Sequence, residues 1–332
     1  MYTKHDCPPD GGNPLRKPLG KTGISVSQIA FGGAPIGFPY GLGVKGESDL
    51  LQETDAIAIL KQAFENGINF FDTAPNYGRS ENLMGKAFKS IRHDVIIATK
   101  CPRILDDNGC IYSFKNLKSL ITDSLEKSLF ALQSDYVDIL FLHDYECKNI
   151  VNNSDLIYIL EDLKKRGCVR SVGISTYGPS DTEAVLCSAH WDVVQLAFNL
   201  MDQRELVNFK SLQTKGIGVV VRSALFKGIL TDKVDTLHPA LISVQNHRQR
   251  YFKFINENIK SLYELAIKFI LSFDAVSTVL IGIDKADYLE KAIGIFSNSQ
   301  ISETTIKELC ELAYPEPEFL NLPKWDKLGW LK

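Results

Sequence analysis

The chain has 332 residues, 45% hydrophobic and 23% charged, the proportions of an ordinary globular protein. Its 37 basic and 40 acidic residues leave a formal charge of −3, so there is no basic excess to neutralise a phosphate backbone, and nucleic-acid binding is not expected. No run approaches the roughly 20 apolar residues of a membrane span, and the opening MYTKHDCPPDGGNP lacks a signal peptide's apolar core, so the expectation is a cytoplasmic protein without membrane contact.

In chain order, RKPLGKTGISVS (16–27) has short extended pieces around Gly20 and Gly23 and reads as a hairpin capping the bottom of a barrel. Apolar, β-branched runs then recur, each ending in a polar residue or glycine: QIAFGG (28–33), INFFD (68–72), DVIIATK (94–100), YVDILFLH (136–143), VRSVGIS (169–175), DVVQLAFN (192–199), GVVVRS (218–223) and STVLIG (277–282). Amphipathic stretches lie between them. Residues 54–66 carry Ile57, Leu60 and Phe64 on one face before Gly67; 116–132 place Leu117, Leu120, Ile121, Leu125 and Leu129 along a stripe; 156–165 close at Gly167; 255–271 are another such segment.

Strands apolar on both faces, alternating with helices, indicate a buried parallel sheet. Eight such units in roughly 250 residues predict an α/β protein folded as a single (β/α)8 TIM barrel spanning residues 1–332. The glycine-dense stretch Gly32, Gly33, Gly37, Gly41 and Gly43 lacks G-x-G-x-x-G spacing and an immediate helix, so it reads as an irregular loop at the barrel mouth. Beyond the eighth helix, 301–312 predict an extra helix, and AYPEPEFLNLPKWDKLGWLK is an aromatic tail whose Trp325 and Trp330 are expected to cover apolar surface.

The seven cysteines (Cys7, Cys101, Cys110, Cys147, Cys168, Cys187, Cys310) are scattered, without the close pairs of a zinc or redox motif. Cys101 follows an apolar run but has no base implied nearby, and no other residue is a persuasive covalent nucleophile.

All strands of a barrel deliver their C-terminal residues to one rim, where barrel enzymes work. Here the second, third and fourth strands end in Asp72, Lys100 and His143, and Tyr77 follows Asp72 in the loop APNYG. Each alone is ordinarily structural: a helix-capping aspartate, a solvated lysine, a satisfied histidine. Together they make chemical sense. A phenol is a weak acid at neutral pH, and a neighbouring ammonium stabilises its phenolate. Lys100 can supply the ammonium, fixed by Asp72. Tyr77 then donates a proton to a carbonyl oxygen or takes one from a hydroxyl, and His143 orients that oxygen. With neither metal nor nucleophile, a carbonyl needs a hydride from elsewhere, which implies a nicotinamide cofactor.

FDTAPNYG (71–78), IIATK (96–100), DYVDILFLH (135–143), VGIS (172–175), QLAFN (195–199) and RSALFKGIL (222–230) together resemble the aldo-keto reductases, in order, over about residues 18–291. The resemblance implies a (β/α)8 barrel binding NADP(H) or NAD(H) across the rim, with its catalytic tetrad falling on Asp72, Tyr77, Lys100 and His143. It further implies that Ser175 and Gln195 hold the nicotinamide carboxamide. Gly33 would lie near the nicotinamide ribose, and Ser223, Leu225 and Gly228 would wrap the pyrophosphate, with Lys227 adding charge. Gly282 and the residues after it would surround the adenosine phosphate.

Three departures stand out. Thr176 follows Ser175 where many members have asparagine, which weakens one carboxamide contact. Arg222 replaces the aromatic ring that the best-known members stack on the nicotinamide; repelled by an oxidised ring, it is expected to reach a phosphate or carboxylate. Asp284 and Lys285 stand where NADP-preferring members place a cation; the aspartate could bond a ribose hydroxyl and the lysine a 2′-phosphate, so NADP and NAD remain open.

The implied substrate is a small aldehyde, ketone or sugar. FGGAPIG and DYVDILFLHDYE (135–146) look more like the aldose 1-dehydrogenase branch, which oxidises a lactol to a lactone with NAD, whereas RSALFKGILTDK looks more like general bacterial carbonyl reductases. A non-catalytic, cofactor-sensing interaction protein on the same fold is the reading from another class.

Overall fold

The computed structural model of the chain describes residues 16–44, 46–143, 150–232, 234, 236–295 and 300–331. The opening segment, Cys7, Cys147 and the last residues, 144–146, of the run DYVDILFLHDYE lie outside them. A two-stranded antiparallel hairpin, β1 (Arg16–Pro18) with β2 (Ser25–Ser27), precedes a closed barrel of parallel strands: β3 (Ile29–Gly32), β4 (Phe70–Asp72), β5 (Ile96–Cys101), β6 (Val137–Leu142), β7 (Val169–Ser175), β8 (Val193–Ala197), β9 (Gly218–Arg222) and β10 (Thr278–Gly282). β10 pairs back onto β3, with Gly282 opposite Gly32, and closes the ring.

Strand alternation splits the core in two. Leu140, Ile174, Val194, Val219 and Ile281 point outward and pack under the helices, in one cluster with Leu60 of α2 (Glu53–Glu65) and Ile121 of α4 (Phe114–Leu132). Ala30, Phe70, Ala98, Ile139, Phe141, Val193 and Val220 point inward and fill the barrel. Leu19, Ile24 and Val26 of the hairpin belong to that inner cluster, so the hairpin plugs the bottom. Gly20 allows this close seat: it has a φ of +55°, and a Cβ there would lie 2.4 Å from the Gly216 carbonyl oxygen. Gly173 likewise leaves room for the Phe141 ring inside the barrel.

Towards the bottom, Asp138 points outward and is fully buried. Its carboxylate accepts from Arg92 and from the Ile97 amide at 2.9 Å each and from Arg170 at 2.5 Å. This carboxylate of the fourth barrel strand ties neighbouring segments together and is structural.

The predicted helix over 255–271 begins only at Leu262. Asn256 pairs back with Ile259 in a tight turn, and Ser261 caps the helix by accepting from the Glu264 amide while Glu264 accepts from the Lys260 amide. The S-x-x-E spacing carries that start signal. The glycine-dense loop also differs from the expectation: a single helical turn, α1 (Ala34–Gly37), follows β3 at once, with Pro35 in its first turn, and only then does the chain become irregular. The extra helix forms as Glu303–Cys310, and the tail folds into a short helix, Leu322–Lys327. Trp325 is buried against Phe226 and Phe319, and Trp330 packs against the core as well, stacking on His238 where it lines a rim cavity.

Candidate active site

The residues singled out in the sequence occupy one layer of the barrel interior. Asp72, Lys100, His143, Gln195 and Arg222 each lie two positions beyond an inward-facing residue: Phe70, Ala98, Phe141, Val193 and Val220. The strand period of two therefore puts them on the same inner surface, one level nearer the C-terminal rim. Ser175, two beyond Gly173, completes the ring and is paired in register with Gln195.

At its centre Lys100 Nζ donates to Asp72 Oδ2 at 2.7 Å and to the Thr73 carbonyl at 3.0 Å, while Gln195 Nε2 donates to Asp72 Oδ1 at 2.8 Å. All three side chains are buried. Burial opposes the Lys100 charge, but the Asp72 carboxylate and the Tyr77 hydroxyl outweigh it and hold the lysine pKa above its ordinary value. Lys100 Nζ lies 4.7 Å from the Tyr77 ring centroid. Behind Lys100, the Thr99 hydroxyl donates at 2.6 Å to Glu81, a carboxylate whose pKa burial pushes up.

Tyr77 is held by its backbone. Its amide donates to the Ala74 carbonyl, and its own carbonyl accepts from Ser80, the first residue of α3 (Ser80–Phe88). A Cβ on Gly37 would lie 1.8 Å from the Tyr77 carbonyl oxygen, and Gly78 has a φ of +54°. Only glycines permit this approach of α1 to the tyrosine loop. Arg79 fastens the junction by donating to the Ile36 and Leu51 carbonyls.

His143 follows β6 directly. Burial, then repulsion from Lys100 and Arg222, lowers its pKa to about 4, so at neutral pH it is an uncharged imidazole. Its ring stacks on Tyr177, 6.4 Å between centroids, and the Arg222 guanidinium lies 4.7 Å from the Tyr177 centroid on the same aromatic stack. Arg222 donates to the Thr176 carbonyl at 2.8 Å. Sequence reasoning missed Tyr177; an aromatic residue just past a strand end was the available signal.

Beside this layer, a cavity of about 800 Å³ opens along the rim. Ser223, Leu225, Lys227 and Gly228 line one side of it and Gly282, Asp284 and Lys285 the other. The loop after β9 has left-handed backbone at Ser223, Phe226, Lys227 and Gly228, with φ of +57°, +49°, +55° and +102°. Lys227 pairs with Asp326 of the tail at 3.0 Å and lies 5.1 Å from the Tyr40 ring centroid. Tyr40, also unforeseen, lines the cavity; burial, then Tyr77 nearby, pushes its phenol pKa up to about 12. Gly33 directly follows β3. It is buried, its amide donates to the Asp72 carbonyl, and a Cβ would meet Ser80 and Met84, so packing against α3 requires glycine there.

Among the described residues no group of three or more His, Cys, Asp or Glu side chains has the arrangement of a metal site. The five described cysteines carry free thiols. No described helix is long and apolar enough to cross a membrane.

A closed parallel barrel whose top inner layer joins a lysine, a carboxylate and a neutral histidine, with a tyrosine on the loop above and a rim cavity beside them, defines a (β/α)8 protein organised for small-molecule chemistry at that rim. The chain belongs to the aldo/keto reductase family, whose model matches residues 35–313. L-galactose dehydrogenase of Arabidopsis thaliana is 31% identical over 319 residues, covering 90% of this chain and 93% of that protein. D-arabinose 1-dehydrogenase of Saccharomyces cerevisiae is 27% identical over 289 residues, covering 81% and 82%. An aldo-keto reductase from Bacillus halodurans, solved in its holo form, superposes with a TM-score of 0.74 at 25% identity, covering 90% of this chain and 96% of that one. The protein is thus an oxidoreductase of a family that uses nicotinamide cofactors on small carbonyl or sugar compounds.

Proposed function

We propose that the protein transfers a hydride between NAD(H) or NADP(H) and a carbonyl or alcohol carbon of a small aldehyde, ketone or sugar, with Tyr77 as general acid and base. The observation that carries this reading is the Gln195–Asp72–Lys100 chain of buried hydrogen bonds, which fixes an ammonium 4.7 Å from the Tyr77 ring. Lys100 stabilises the phenolate left when Tyr77 gives its proton to the substrate oxygen, and Asp72 keeps Lys100 charged and in place. His143, uncharged, donates a hydrogen bond to the same oxygen without competing as an acid.

The rim cavity fits a dinucleotide. It has a volume of about 800 Å³ and is lined by Lys227, Lys285 and Lys291, which suit an anionic pyrophosphate. Ser223, Leu225, Gly228 and Gly282 would contact that cofactor through the backbone or short side chains, and Ser175 and Gln195 its carboxamide. Asp284 and Lys285 would meet the adenosine ribose, the first suiting a hydroxyl and the second a 2′-phosphate. The bound nicotinamide supplies or accepts the hydride.

Oxidation of an aldose lactol at C1 is the second reading, favoured by the two relatives named as sugar dehydrogenases. A panel of aldehydes, ketones and aldoses, run in both directions with both cofactors, tests the reading; Tyr77→Phe should lower turnover by about 10²-fold or more. An unchanged rate would refute the role of Tyr77. Cofactor binding without turnover on any substrate would favour a cofactor-sensing interaction protein.

A further inference from the structure

Arg222 brings to the site a charge that the proton-transfer chemistry does not use. Lys100 is balanced by Asp72 at 2.7 Å. Arg222 has no carboxylate within ion-pair distance among the described residues; its firm bond is to the neutral Thr176 carbonyl, and its buried Nε has no hydrogen-bond partner there. Tyr177, under the guanidinium, is an aromatic platform and not a counter-ion. The layer of Asp72, Lys100, neutral His143 and Arg222 therefore carries one net positive charge. That charge reaches the reacting position, because Arg222 is one of the groups that depress the His143 pKa.

We infer that Arg222 makes the site discriminate between the two redox states of its cofactor, binding the uncharged reduced nicotinamide in preference to the cationic oxidised one, and so directs the protein towards carbonyl reduction. The inference rests on the reading of the site as nicotinamide-dependent. A hydride donor must come within about 3–3.5 Å of the carbon whose oxygen His143 contacts. The nicotinamide ring then lies in the same field that acts on His143. An oxidised ring brings a further cation beside a layer that already holds the Arg222 charge, which has no ion pair among the described residues, whereas a reduced ring brings none. At the effective dielectric of about 20 for such sites, a charge pair several ångströms apart changes an equilibrium by about 10- to 100-fold. In the favoured direction the hydride passes from the reduced ring to the carbonyl carbon, the Tyr77 proton passes to the oxygen, and the ring leaves oxidised from a site that repels it.

Calorimetric titration of the protein with NAD+, NADH, NADP+ and NADPH, without carbonyl substrate, tests this. In the wild type the reduced form of the accepted pair should bind about tenfold or more tightly than the oxidised form, and the gap should narrow as salt rises from low concentration to about 0.5 M. Arg222→Gln, which keeps a flat amide on Tyr177 without the charge, should bring the two forms to within about threefold, and Arg222→Lys should preserve the preference. Equal affinities in the wild type would overturn the inference. So would a preference unchanged in Arg222→Gln, as when that variant raises KM only for carboxylated substrates because Arg222 anchors a substrate anion. Should Arg222→Gln not fold, the salt dependence and Arg222→Lys still decide. Failure of all four nucleotides to bind would instead overturn the nicotinamide reading itself.

Discussion

Gln195 reaches from β8 across the barrel to Asp72 on β4, donating to Oδ1 at 2.8 Å while Lys100 occupies Oδ2. Each oxygen of the carboxylate thereby accepts from a residue of a different strand, and its plane is fixed relative to the lysine.

Gln195→Leu should therefore impair catalysis without touching Tyr77. One buried carboxylate oxygen loses its donor, which costs about 1–3 kcal/mol, and Lys100 loses the fixed orientation of its partner. We expect kcat to fall about tenfold, with Gln195→Asn recovering little because its amide is one methylene shorter. Steady-state kinetics on both variants checks this; an unchanged kcat in Gln195→Leu would show that Asp72 needs no second anchor.

The His143 pKa of about 4 predicts that kcat/KM has no limb from imidazole titration near pH 6.5. It also affects stability. The unfolded chain takes up a proton near the ordinary value of 6.5 and the folded chain only near 4, so protonation favours unfolding. Stability from this residue is complete above about pH 6.5 and is lost as the pH falls towards 4. Denaturant melts at pH 7 and pH 5 should show a smaller loss in His143→Gln than in the wild type.

Asp138→Ala should destabilise the fold by about 3–5 kcal/mol, because it leaves the guanidinium of Arg92, buried nearly as deeply, without its counter-ion. Thermal unfolding reads this directly. The protein that remains folded should keep its KM values, since Asp138 lies on the outer face of β6, away from the rim.

Gly37→Ala places a methyl 1.8 Å from the Tyr77 carbonyl oxygen, and backbone there cannot yield as a flexible side chain would. Displacement of the tyrosine loop by about an ångström should cost about 10²-fold in kcat. Circular dichroism should remain that of the wild type, and the affinity for nicotinamide nucleotides should change little. Loss of that affinity would mean that α1, not the tyrosine loop, had moved.

The barrel and its polar centre were legible in the sequence for one reason: strand parity. Apolar runs that end in Asp72, Lys100 and His143 must, if the strands are parallel and buried, put those residues on one inner face. The helix start at Leu262 was marked by Ser261 and Glu264 but hidden by Ile255 and Ile259, whose four-residue spacing extends the helical pattern backwards. Contacts between distant segments left no local pattern. Neither the approach of Gly37 to Tyr77, nor the pairing of Lys227 with Asp326, nor the placing of Tyr177 between His143 and Arg222 follows from spacing, because each depends on how loops from different strands fold over the rim. Gly33 likewise answers to a packing demand that its local sequence does not show, the bulk of Ser80 and Met84.

With Leu19, Ile24 and Val26 stoppering the lower end, the barrel is a vessel with a single mouth. On the proposed mechanism, protons exchanged by Lys100 and Tyr77 would use the opening through which substrate and cofactor arrive. Seating both would then cut the phenol off from bulk water, and the one proton it holds would be the one delivered. Recharging belongs to the open state, between product departure and the next arrival. Solvent-isotope exchange at Tyr77 should accordingly slow in a ternary complex with an unreactive substrate analogue.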